Sequence, residues 1–152
     1  MKYYRIGCFC FLLLITLVIT GCGPRPIKTE KVTGTVTLDG KPLPGATVGF
    51  IPKSTSEGNS GYAVTDDDGK FVLQTTLGAA GAGTTVGEYS VTVTKTDMIK
   101  TGTGKNDEGK VIDIQQPKDI LPLVYANPTK SPFQVTVQSG ENTFDFELKS
   151  KP

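Results

Sequence analysis

The sequence predicts an all-β protein, a single antiparallel β-sandwich of about seven strands, and three observations predict it. Apolar residues recur at every second position in several short runs. Gly, Pro and Asp clusters separate those runs. Beyond residue 29, no stretch shows the 3.6-residue apolar stripe of an amphipathic helix. The chain has 152 residues, room for one domain of ordinary size.

The runs read as follows. Val32, Gly34, Val36 and Leu38 alternate with Thr33, Thr35, Thr37 and Asp39, giving one apolar and one threonine face. Asp39-Gly40 and Pro44-Gly45 are turn signals, after which Ala46, Val48 and Phe50 resume the alternation. Tyr62 and Val64 lead into Thr65-Asp66-Asp67-Asp68-Gly69, and Phe71 and Leu73 follow, which predicts a hairpin. Glu88 to Thr94 is a further strand. Phe133, Val135 and Val137, then Ser139-Gly140-Glu141-Asn142, then Phe144, Phe146 and Leu148 predict a closing hairpin. The expected core is Val32, Val36, Leu38, Val48, Phe50, Val64, Phe71, Leu73, Tyr89, Val91, Val93, Val135, Val137, Phe144, Phe146 and Leu148. Leu77–Gly87 and Lys95–Lys118 break the rhythm and read as long loops, the second with one short strand at Lys110 to Ile114.

The N-terminus belongs to a different class. Met1-Lys2-Tyr3-Tyr4-Arg5 is a short basic segment, Ile6 to Ile19 is an apolar run, and small residues close it. Secretory signals have this layout, and the run is short for a bilayer crossing. Ile19-Thr20-Gly21-Cys22 resembles the bacterial lipobox, in which small residues admit the peptidase and the cysteine thiol takes the lipid. The expected division is a lipoprotein signal peptide at 1–21, a proline-stiffened tether at 22–29 carrying lipid on Cys22, and the sandwich at 30–152. The expected address is the cell envelope, facing the periplasm or the cell surface. Gly23 after the cysteine resembles an outer-membrane sorting preference.

Composition narrows the function. Two of the 16 basic residues, Lys2 and Arg5, leave with the signal, so the 15 acidic residues outnumber the remainder by one. A near-neutral domain has no basic face for nucleic acid. Two of the three cysteines, Cys8 and Cys10, also leave and Cys22 is consumed, so no disulfide is expected. The chain has no histidine, which removes the Ser-His-Asp arrangement and the usual zinc sites. A paired-carboxylate glycosidase stays formally open, without an evident cleft or a tryptophan to support it.

Three segments carry a family resemblance. They are Val32 to Val36 with Gly40 to Val48, then Thr65-Asp66 with Gly69 and Phe71, then Gly87 to Val93. Together they resemble the carboxypeptidase regulatory-like domain, a transthyretin-like sandwich. Leu121-Pro122, Tyr125, Pro128, Ser131, Gly140-Glu141-Asn142 and Phe144-Asp145-Phe146 resemble the ending of small lipoproteins that hold this domain alone. The resemblance implies fold and address and a non-catalytic module without a cofactor. The zinc-binding His and Glu set of the carboxypeptidases is absent. Transthyretin-like hydrolases use histidines and a Tyr-Arg-Gly-Ser ending, where this sequence has Lys149-Ser150-Lys151-Pro152.

Four candidate sites remain. Asp66, Asp67 and Asp68 offer hard oxygens to calcium, but they are consecutive rather than alternating, which favours a hairpin turn capped by Asp66. Tyr125, in a proline-flanked loop, is the one aromatic open to contact with a ligand such as a glycan, the favoured reading being a loop anchor packed on the sandwich. Lys31 and Asn142 are nominated for an intramolecular isopeptide bond. Cys22 is the lipidation site. The expected function is a non-enzymatic envelope module that contacts a protein or glycan through Leu77–Gly87 and Lys95–Lys118. A carbohydrate-binding module and a purely structural envelope component are the alternatives.

Overall fold

The computed structural model describes residues 27–54, 58–75 and 83–151. Their strands are β1 (Val32–Leu38), β2 (Lys41–Pro42), β3 (Thr47–Pro52), β4 (Gly61–Val64), β5 (Lys70–Val72), β6 (Gln74–Thr75), β7 (Gly87–Thr94), β8 (Thr96–Lys105), β9 (Val111–Asp119), β10 (Gln134–Val137) and β11 (Asn142–Leu148). One short helix, α1, spans Leu123–Ala126. Cys22 and most of the Leu77–Gly87 loop lie outside the described residues.

Two sheets form the expected sandwich. One runs β10-β7-β3-β4-β6, all antiparallel. In the other, β11 pairs with one edge of β1, while β2 and β5 share the opposite edge. The β1–β11 pairing is parallel, with Val32 opposite Asn142 and Leu38 opposite Leu148. Inward residues of both sheets meet in one core, centred on Phe50, whose ring lies 6.0–6.4 Å from those of Phe71, Tyr89, Phe144 and Phe146. Such tilted aromatic clusters add edge-to-face attraction to the burial of area.

Turn chemistry follows the sequence closely in two places. Asp39 and Gly40 both take positive φ, 51° and 81°, as a two-residue hairpin loop between β1 and β2 requires. Asp66 Oδ1 accepts the amides of Asp68 (3.0 Å) and Lys70 (2.8 Å), and Gly69 sits at φ 73°.

Elsewhere the structure corrects the reading. The Asp66 turn does not join partners in a hairpin: β4 pairs with β6, and β5 crosses to the other sheet to pair with β1. β10 and β11 likewise part, one joining β7 and the other β1, so the closing pair is a crossover between sheets. In β4 the inward positions are Gly61 and Ala63, while Tyr62 and Val64 face solvent. Leu73, fully buried between β5 and β6, occupies that space, and a Cβ on Gly61 would come within 2.8 Å of it. Leu38, Val135 and Phe144 are partly rather than fully buried.

The largest departure is Lys95–Lys118. Instead of a polar loop it is a long β-hairpin, β8 with β9, forming a sheet of its own. Its tip uses the Asp66 device again: Asn106 Oδ1 accepts the amides of Glu108 (3.2 Å) and Lys110 (2.8 Å), with Gly109 at φ 77°.

Candidate functional site

Strand β7 gives the molecule two ends. At its start, Tyr89 donates its hydroxyl proton to the Thr85 carbonyl (2.9 Å), and Thr84 bridges Glu30 through backbone bonds of 2.7 and 3.2 Å. The first described residues, Ile27 to Glu30, therefore lie beside the start of β7. At the other end, Thr94 leads through Lys95 into β8, and the Ile120 amide returns to the Lys95 carbonyl at 3.0 Å. Eight strand residues, roughly 25 Å, separate the two. The described part of the Leu77–Gly87 loop lies at the Glu30 end and the hairpin at the far end, so they do not form one surface.

Glu30 fixes the segment before β1 to the turn at Ser139-Gly140. It is only 9% exposed, and its carboxylate accepts the Gly140 amide (2.8 Å) and the Ser139 hydroxyl (3.2 Å) and pairs with Lys28 Nζ (2.9 Å). The Gly140 amide first, then Lys28, holds this carboxyl below the usual glutamate range. A lowered folded-state pKa contributes stability above the ordinary value of about 4.3, lost as pH falls through the lowered one. Glu30→Gln is expected to flatten the acid side of a melting-temperature profile measured between pH 6 and pH 2.5. An acid limb as steep as the wild type's would refute this assignment.

The far hairpin is two-faced. Cross-strand register places Ile99, Gly102, Gly104, Ile112 and Ile114 on one side, which Gln116, Asp97 and Lys118 continue toward the base of the hairpin. Ile112 and Ile114 are 43% and 45% exposed. Ile114 leans across Gly104, its Cδ1 being 3.3 Å from where a Cβ would stand there, and Gly102 has open space above it. The opposite side carries Lys100 paired with Asp113 (2.6 Å) and Thr96 bonded to Asp119 (2.5 Å), with Met98 and Val111 exposed among them. A register shift at Thr101 and the proline at 117 blunt the two edges against strand addition.

The candidate residues named from sequence fall elsewhere. Tyr125 is buried, a correction to its place as a ligand contact: its ring stacks on Phe133 at 5.6 Å and its hydroxyl accepts the Lys149 amide at 3.0 Å. It anchors α1 to the end of β11. Asn142 is buried and caps its own turn, accepting the Gln138 amide and donating to the Gln138 and Gly140 carbonyls. Lys31 points instead to Glu141 (3.1 Å), so the nominated cross-link has no geometry. Asp66 is spent on backbone amides and Asp68 pairs with Lys70 (3.2 Å), so the three carboxylates do not converge. The same turn forms at Asn106, so it requires an acceptor oxygen rather than a charge cluster. Among the described residues, no group of three or more His, Cys, Asp or Glu is placed to hold a metal ion, and no helix is long and apolar enough to cross a membrane.

Sequence reasoning missed the hairpin, although a signal was present. Asn106-Asp107-Glu108-Gly109-Lys110 repeats the pattern of Asp66-Asp67-Asp68-Gly69-Lys70, which had been read as a turn. Tyr62 was missed as a surface aromatic because it alternates in phase with Val64 beside an apolar strand.

No family model matches the chain, and no curated protein does. Among the solved structures that resemble this chain, three share little sequence with it. A DUF3823 family protein from Parabacteroides merdae aligns over 78% of this chain and 45% of its own, at 13% identity and a TM-score of 0.37. A 9R-lipoxygenase from Cyanothece aligns over 84% of this chain and 18% of its own, at 13% identity and a TM-score of 0.39. A chlorocatechol 1,2-dioxygenase from Pseudomonas putida aligns over 80% of this chain and 60% of its own, at 16% identity and a TM-score of 0.36. The chain thus spans less than two thirds of the length of each of these proteins.

Proposed function

We propose that this protein is a lipid-anchored, non-enzymatic module of the bacterial envelope, a carboxypeptidase regulatory-like lipoprotein that docks an envelope protein through the β8–β9 hairpin. The observation that carries the reading is an apolar-faced hairpin at the end of the sandwich opposite the tether. A chain held by lipid on Cys22 would present that hairpin outward. Isolated two-stranded hairpins are marginal in water, and one that leaves three isoleucines on a single face gains from a partner that covers them. Charge argues for a protein partner over an anionic surface. Lys100, Lys105, Lys110 and Lys118 are matched by Asp97, Asp107, Glu108, Asp113 and Asp119. The non-enzymatic part rests on a chain without histidine and on shallow concavities. The depression between Pro52, Lys53, Gly58 and Glu88 holds about 80 Å³, and the larger grooves, about 620 Å³ along Leu123 to Lys130 and about 390 Å³ between Pro52, Ser90 and Gln134, lie open to solvent.

The test is made in the native cell with the full chain. A photocrosslinking residue at position 112 is expected to trap one discrete protein adduct, which Ile99→Ser with Ile114→Ser abolishes while a probe at position 145 traps none. Palmitate labelling is expected for the wild type and not for Cys22→Ser. Absence of an adduct, or one indifferent to the isoleucine substitutions, would overturn the docking surface. Label persisting in Cys22→Ser would overturn the anchor.

A further inference from the structure

We infer that the outer face of the five-stranded sheet is a platform for a neutral glycan, centred on Tyr62. This site is separate from the hairpin, with its own residues and its own ligand class.

The first ground is charge. Of all the residues in β3, β4, β6, β7 and β10, only Glu88 is charged, and it sits at the strand end opposite Lys53 (3.5 Å). The other sheet is ordinary by comparison, with Lys41, Lys70, Asp145 and Glu147 among its strands. An uncharged, hydroxyl-rich surface matches a polyhydroxylated neutral ligand. It has nothing with which to hold an acidic polymer or an ionic protein rim.

The second ground is the aromatic. Tyr62 is 44% exposed, and its hydroxyl makes no hydrogen bond among the described residues. Its ring is nonetheless held. It pairs across the strands with Gly49, and the ring atoms Cε1 and Cδ1 lie 3.4 and 3.5 Å from where a Cβ on Gly49 would stand. Thr92 closes the other side, its Oγ1 2.7 Å from the same point and donating to the Gly49 carbonyl at 3.4 Å. A Cβ at 49 would touch the ring at ordinary van der Waals distance and would collide with the Thr92 hydroxyl, so the glycine makes room for that hydroxyl beneath the ring. A pre-positioned ring loses little entropy when a pyranose C–H face stacks on it. Gln74 stands directly opposite Tyr62 at the usual inter-strand spacing of about 4.8 Å, and Thr47, opposite Val64, lies diagonal to it at about 7–8 Å, both within reach of the hydroxyls of a sugar on the ring.

The experiment uses the full-length protein in detergent micelles, with affinity electrophoresis and calorimetry against dextran, β-1,3-glucan, mannan and xylan as neutral probes and hyaluronan as the acidic control. At least one neutral probe is expected to bind. Tyr62→Ala should weaken it about tenfold or more, and Tyr62→Phe less than about threefold, because the stacking surface is kept. Thr92→Val tests the supporting hydroxyl and should weaken binding as well. Melting temperatures verify that these surface variants stay folded. Failure of every neutral probe at millimolar concentration, binding indifferent to Tyr62→Ala, or a preference for hyaluronan would overturn the proposal. Ile99→Ser with Ile114→Ser should leave sugar binding unchanged, so this site and the hairpin fail or stand independently.

Discussion

Truncation of Phe146 to alanine is expected to cost about 3–5 kcal/mol of unfolding free energy. The ring is 3% exposed. It stacks on Phe71 at 6.1 Å, meets Phe50 edge-on at 6.2 Å, and lies 5.0 Å from Phe133. Phe71 belongs to its own sheet and Phe50 to the facing one, so the cavity would open at the centre of the sandwich. The loss would reach the periphery too, because Phe133 carries Tyr125 and through it α1. Denaturant titration should show a lower midpoint with an unchanged slope, since the surface exposed on unfolding is nearly the same. Phe146→Leu retains most of the volume and should cost less than about 2 kcal/mol. A loss near zero for the alanine variant would mean that β11 presents its other face to the core.

Gly34→Ala is the second large effect, of opposite kind: an atom added rather than removed. A Cβ on Gly34 would stand 1.8 Å from the Phe144 carbonyl oxygen and 2.8 Å from Phe71 Cε1. The oxygen is backbone and cannot swing aside. Relief requires prising β1 from β11 along their parallel ladder or pushing Phe71 out of the aromatic cluster. Overpacking typically costs about 1–3 kcal/mol and more where backbone must move, so about 3 kcal/mol or above is expected. Gly102→Ala is the matched control. It adds the same methyl to a strand where nothing lies within 4 Å, and it should shift stability by less than about 0.5 kcal/mol. Equal effects at the two positions would show that backbone entropy, not the close approach of β11, explains Gly34.

These variants mark how far the sequence could be read. Val32, Val36, Val48, Phe50, Tyr89, Val91, Val93 and Phe146 alternate in period two, and all are buried. Asp39-Gly40 and Asp66 to Gly69 specify their turns through positive φ and an Asx oxygen, which are local properties. Strands, turns and the single sandwich are legible for that reason: pattern and turn chemistry need only near neighbours in the chain.

The face of β4 was not legible, because its buried set is Gly61 and Ala63 and its exposed set is Tyr62 and Val64. Hydrophobicity alone points the wrong way there. Only the passage of Leu73 beneath the strand decides it. The hairpin escaped the period-two rule because Gly102 and Gly104 hold the β8 positions that face Ile114 and Ile112, while Met98 and Val111 put apolar side chains on the opposite side, so neither strand alternates cleanly. Tyr125 was ambiguous until the Lys149 amide, far along the chain, arrived beside its hydroxyl.

The sequence by itself determined the all-β class, most of the core and two of the turns, because alternation and turn residues act over a few positions. Tertiary structure alone decided which sheet each late strand joins, including the parallel pairing of β1 with β11. It also decided that Glu30 and the hairpin stand at opposite ends of β7, and that Tyr62 rather than Tyr125 faces solvent. Those outcomes depend on contacts between residues distant in sequence, where packing volume and hydrogen-bond satisfaction override the local pattern.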